Sequence, residues 1–130
     1  GANIANIAKS ILDWARSKSL KIWWGRGRIE GSFIPGIKVN SEEYYPITVN
    51  TKGNIGIQFG VLKTRSAFKD EAKRKELLDR LNRVYGISLP NDAIERYPSF
   101  PATLLLDEGS FKQFISILDW IVEIINKQKS

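Results

Sequence analysis

Ile4, Ile7, Ala8, Ile11, Leu12 and Ala15 recur at i, i+3 and i+4 spacing. That period predicts an amphipathic helix, with Asn3 as N-cap and Ser17-Lys18-Ser19 as its end. The period then changes. Leu20, Ile22 and Trp24 alternate with Lys21 and Trp23, which predicts a strand. Gly25-Arg26-Gly27-Arg28 turns the chain, and Ser32 to Val39 predicts a second strand, placed at an edge or a bulge by Pro35. Asn40 to Glu43 is a turn, and Tyr44 to Val49, containing Pro46, a third strand. Asn50-Thr51-Lys52-Gly53-Asn54 is a hairpin turn, and Ile55, Ile57, Phe59 and Val61 alternate as a fourth strand with one buried face.

The second half is helical. Leu77, Leu78, Leu81 and Val84 predict a helix over about Phe68 to Tyr85, with Ser66 as N-cap and Gly86 as C-terminal stop. Pro90-Asn91 opens a short helical turn reaching about Arg96. Tyr97 to Pro101 is extended, because each proline biases its predecessor away from helix. Phe111, Phe114, Ile115, Leu118, Val122 and Ile125 predict a last helix capped by Asp107. No βαβ unit is visible. The expected fold is therefore α+β: a four-stranded antiparallel meander sheet packed against N-terminal and C-terminal helices. The expected core includes Ile11, Trp14, Ile57, Phe59, Leu78, Leu81, Phe114 and Leu118. Ser10-Ile11-Leu12-Asp13-Trp14 recurs as Ser116-Ile117-Leu118-Asp119-Trp120. The likeness stops there, so it reads as two helices using one face pattern rather than as a repeat.

A chain of 130 residues with 42% apolar content fits a single folded domain. No apolar run approaches the roughly 20 residues of a bilayer span. Cysteine and histidine are absent. Disulfides, thiolate chemistry, Cys/His zinc sites and Ser-His or Cys-His dyads are therefore excluded. A cysteine-free chain suits the cytoplasm. Methionine is absent too, and Gly1-Ala2 resembles a tag remnant, so the expected parent is a longer protein from which residues 1–130 are one α+β domain.

Charge is uneven. Residues 1–65 hold ten Lys/Arg and four Asp/Glu, whereas residues 66–130 hold ten of each, so the first half carries the whole net +6. Such a bias favours an anionic partner, although solubility alone also accounts for it. Around Lys21-Ile22-Trp23-Trp24-Gly25-Arg26-Gly27-Arg28, strand alternation turns Lys21 and Trp23 away from the core. Arg26 and Arg28 then project from a glycine turn, where guanidinium forks and backbone N–H groups match phosphate oxygens and an exposed Trp can stack on a base. The plainer alternative is an ordinary glycine hairpin, and the spacing does not fit a P-loop. Lys63-Thr64-Arg65-Ser66 precedes a helix, a place where anions bind, or where Ser66 simply caps. Tyr44 and Tyr45, on adjacent strand positions, either complete an aromatic platform with Trp23 or are buried. The candidate nucleic-acid contacts are thus Lys21, Trp23, Arg26, Arg28, Lys63 and Arg65. Asp13, Glu30, Glu42 and Glu43, the acidic residues of the first half, do not form a nuclease-like set. No catalytic residue, metal ligand or cofactor site is expected.

Trp23-Trp24-Gly25-x-Gly27 followed by Gly31-Ser32-Phe33-Ile34-Pro35, Leu81-Asn82 ahead of Gly86-Ile87, and Arg96-x-Pro98-Ser99-x-Pro101 together resemble an uncharacterised prokaryotic α+β module. The module resembled is found in the C-terminal parts of predicted restriction or repair nucleases. The helix–sheet–helix outline is also similar to YjbR-like families. The resemblance spans nearly the whole chain and brings no catalytic residues. The charge bias and the Gly-Arg turn beside Trp23 make the first reading a non-catalytic accessory domain that binds nucleic acid through the basic sheet end, without regard to sequence. The resemblance implies a nuclease-like domain of the same parent chain as its neighbour. The alternative is a protein-interaction or intramolecular docking module.

Overall fold

The computed structural model describes residues 2–25, 32–50 and 52–130. Helix α1 (Ala2–Ser17) leads into strands β1 (Lys21–Trp24), β2 (Phe33–Val39), β3 (Glu42–Tyr44), β4 (Ile47–Asn50) and β5 (Asn54–Ile57). A single helical turn α2 (Phe59–Leu62), helix α3 (Glu71–Asn82), strand β6 (Ser99–Pro101) and helix α4 (Glu108–Asn126) follow. Two 3-10 turns, Asn91–Glu95 and Ala102–Leu106, flank β6. The class is α+β, with helices at both ends of an entirely antiparallel sheet. The sheet has six strands rather than the expected four, in the order β1-β2-β4-β5-β6 with β3 also paired to β2.

Each correction has a local cause. The expected third strand divides at Tyr45-Pro46. Its first part pairs Tyr44 with Ile37, and its second pairs Val49 with Phe33, one residue out of step with the first. That extra residue is a bulge, and it resets the alternation so that Tyr44, Ile47 and Val49 all face the core. The expected fourth strand stops at Ile57. Phe59 stays buried, but in α2 rather than in the sheet. The extended segment before Pro101 contributes β6, paired with β5. Helix α3 starts later than its apolar pattern, because Asp70 rather than Ser66 caps it by accepting from the Ala72 amide.

Pro35 sits in an interior strand, not at an edge. The Gly25 amide donates to the Ser32 carbonyl at 2.8 Å, so Ile22 and Pro35, three steps along the same register, are a non-hydrogen-bonded pair. The missing N–H of Pro35 therefore faces away from β1. On that side the neighbour of β2 changes from β4 to β3, and no ladder bond is lost. The β2–β3 hairpin turns on Asn40 and Ser41, both with positive φ (53° and 72°), as a two-residue loop requires.

Helices α1 and α4 pack on one face of the sheet. Trp14, Pro35, Ile37, Ile47, Leu118 and Ile121 meet there around an apolar gap of about 10 Å³, too small and too apolar for a ligand. Seven of the eight expected core residues are buried, and Trp14 is half-buried. The Trp14 indole donates to Asp119 Oδ1 at 2.8 Å, so the two similar pentapeptides touch.

Candidate functional site

Among the described residues, no element covers the face of the sheet opposite α1 and α4. Lys21, Lys38, Asn54, Ser99 and Pro101 are exposed on it, and Trp23, Ile34, Thr48 and Gly56 are half-buried. Its most developed region lies at the β1 end. Trp23 and Tyr45 meet edge to face, with ring centroids 4.8 Å apart at 71°. Both lie over Gly36, where a Cβ would run into the Trp23 ring and come within 3.1 Å of Tyr45 Cδ1. Lys21 Nζ sits 4.9 Å from the Trp23 ring centroid, a cation–π contact.

The Trp23 ring divides two depressions. On one side a cleft of about 450 Å³ is lined by Trp23, Trp24, Gly25, Ile34, Tyr45 and Gln58. On the other a groove of about 240 Å³ is lined by Ser19, Lys21, Trp23, Gly36, Ile37, Lys38 and Glu43. Among the described residues the cleft is lined by uncharged, largely aromatic residues, and the groove by two lysines and one carboxylate. Glu43 is not idle: its Oε2 accepts the Tyr45 hydroxyl at 2.6 Å. That bond, with a smaller contribution from burial, raises the Tyr45 pKa and leaves the phenol protonated at neutral pH.

No family model, curated protein or solved structure matches the chain. The functional argument therefore rests on this geometry. Lys21 and Trp23 come together as their alternation predicts. Arg65 reaches the same neighbourhood, but as a brace: Nε donates to the Glu43 carbonyl at 2.6 Å and Nη1 to Thr64 Oγ1 at 2.7 Å. Lys63 caps the end of α2 and is exposed, but it is not among the described residues that line the two depressions. Arg26 and Arg28 lie outside the described residues; Gly25, immediately before them in sequence, lines the cleft. Tyr44 is no platform residue. It is fully buried, with its hydroxyl donating to Glu42 Oε1 at 3.0 Å and accepting the Ala67 amide at 3.2 Å. Lys38, Gly36 and Gln58 were not candidates from sequence. Lys38 alternates with Val39 on β2 and could have been assigned to this face, whereas Gly36 and Gln58 gain their place only through pairing.

Among the described residues ion pairs occur in both halves, Lys9 meeting Asp13 and Lys18 meeting Asp119. They are commoner in the second half, where, among the described residues, Lys69, Arg83 and Lys129 make none. Lys73, Arg74, Lys75, Arg80, Arg96, Lys112 and Lys127 all meet carboxylates within the second half. Lys21, Lys38, Lys52 and Lys63 make no ion pair among the described residues. Also among the described residues, no three His, Cys, Asp or Glu side chains gather to hold a metal, and no helix is long and apolar enough to cross a membrane.

Glu42 ties β3 to the loop before α3. Its carboxylate accepts the Ser66 amide at 3.2 Å through both oxygens, and this bonding holds its pKa below the ordinary carboxylate value. A depressed folded-state pKa contributes stability that is present above the unfolded pKa and lost as pH falls through the folded one. Glu42→Gln should therefore lower stability at neutral pH more than at strongly acid pH. Urea midpoints at the two pH values measure this, and an equal loss at both would show that the Glu42 charge does not matter.

Proposed function

We propose that this chain is a non-catalytic accessory domain whose open sheet face binds nucleic acid with little regard to sequence. The observation that carries the proposal is the Trp23–Tyr45 pair on an open antiparallel face, flanked by Lys21 and Lys38. Aromatic side chains on a sheet give bases a stacking surface, and adjacent lysines neutralise phosphates. Nothing on this face supplies a helix for reading base edges in the major groove, so phosphate contacts and stacking dominate. Arg26 and Arg28, which follow Gly25 in sequence, add two cations to the same half of the chain. Lys63, and whatever valence Arg65 has beyond its bracing role, complete the basic set.

The second arrangement, docking of another domain of a parent chain, draws on Trp24. Its side chain is 52% exposed at the outer edge of β1, leaning on Phe33 at 5.8 Å. The two differ in salt dependence and in response to charge. Fluorescence anisotropy with labelled oligonucleotides should show affinity falling linearly in log–log salt plots. Lys21→Glu with Lys38→Glu should weaken binding at least about tenfold and reduce the salt slope by about one per lost contact, with an unchanged circular dichroism spectrum. Glu43→Gln, which removes the negative charge from the groove, should tighten it. Absence of binding at low salt and tens of micromolar protein, about the ordinary non-specific range, would reject the proposal in favour of docking.

A further inference from the structure

The cleft and the groove differ in kind, and they share one wall. Among the described residues the cleft is lined by no charged side chain; its lining includes three aromatic residues, Ile34 and the Gln58 amide. Gln58, the residue before α2, lines the cleft, and its side chain makes no capping hydrogen bond to that helix. A primary amide both donates and accepts, and so matches the edge of a nucleobase. On the far side of the Trp23 ring lie Lys21 and Lys38. A nucleotide is likewise a flat, neutral, hydrogen-bonding heterocycle joined to an anion. An apolar peptide side chain would use the cleft but leave both the amide and the lysines without partners.

Resting on the nucleic-acid proposal above, we infer that this cleft takes one unpaired nucleobase, stacked on Trp23 with its edge toward Gln58, while the adjoining phosphates run along the Lys21–Lys38 groove. A base inside a duplex is stacked on both faces and paired at its edge, so it cannot enter. The surface is therefore selective for single strands. Selectivity among bases is weak, because every base has a π-face and one amide can rotate to suit several edges.

The wild-type chain tests this without a variant. A labelled oligothymidylate and an abasic strand of equal length carry the same phosphates and differ only in bases. The thymidylate should bind about tenfold more tightly, the worth of one stacked base, and a duplex of the same length should bind no better than the abasic strand. Trp23→Ala should bring the thymidylate down to the abasic level without changing abasic binding. Gln58→Ala, at a position outside the core, should reduce the same difference. Equal affinity for the two strands would overturn the base cleft and leave phosphate binding by the open face standing. Binding to none of the three ligands would overturn both.

Discussion

Phe114→Ala should destabilise the protein by about 3–5 kcal/mol, the range for removing a fully packed aromatic side chain. Phe114 has no exposed surface and lies on the inward stripe of α4 with Ile117, Leu118 and Ile121. Its ring meets Phe100 of β6 edge to face, with centroids 5.5 Å apart and planes at 79°. The substitution removes apolar burial and this aromatic contact at one point. Neighbours on a helix and on a three-residue strand cannot close the resulting cavity without shifting the sheet edge. Urea unfolding followed by circular dichroism measures the loss. A value below about 1 kcal/mol would show that α4 does not pack as described. The Trp23–Tyr45 region of the open face is at the β1 end of the sheet, away from β6, so binding by the folded fraction should persist.

The fold was legible where pattern alone decides it. Helices α1 and α4 follow their apolar stripes, and β1 and β2 follow their alternation. It was not legible where pairing decides. Ile55, Ile57, Phe59 and Val61 alternate in sequence, yet the chain coils after Ile57; burial of Phe59 in a strand or in a helical turn leaves the same residue type. The bulge at Tyr45-Pro46 exists only relative to β2, and it determines which tyrosine is buried. Ser99-Phe100-Pro101 is too short to carry a period. The site divides in the same way. Alternation of Lys21 and Trp23 is a local property and shows their face. Their neighbours Tyr45, Gly36 and Gln58 arrive from other strands and strand ends. Arg65 looks like a free cation in sequence, because nothing local reveals that the Glu43 carbonyl will occupy its guanidinium.

Arg74→Met should produce the second large loss, at least about 3 kcal/mol, since each buried acceptor left unpaired costs about 1–3 kcal/mol. Arg74 is 6% exposed, whereas Lys73, Lys75 and Arg80 on the same helix keep a third or more of their side chains exposed. Four of its five guanidinium N–H donors are used. Nε donates to the Ile94 carbonyl at 3.2 Å, Nη1 to the carbonyls of Phe68 at 3.0 Å and Lys69 at 2.7 Å, and Nη2 to Glu95 Oε2 at 2.8 Å. A buried ion pair can often be replaced by apolar groups without penalty, but here three of the four acceptors are backbone carbonyls that no substitution at another position removes. The Glu95 side chain is half exposed, so its contribution is the minor one. The bonds join α3 to the segment before it and to the 3-10 turn over Asn91–Glu95. From that turn the chain runs to Arg96, whose carbonyl accepts the Gly60 amide at 2.9 Å, and to Pro98, whose carbonyl accepts the Ile57 amide at 2.8 Å. Loss of Arg74 should therefore loosen β6 and the end of β5 before the rest of the sheet, which amide hydrogen exchange at Ile57 and Gly60 reports. Arg74→Lys, with three donors for four acceptors, should fall between wild type and Arg74→Met. A midpoint for Arg74→Met equal to that of wild type would mean that water satisfies these carbonyls as well as the guanidinium does.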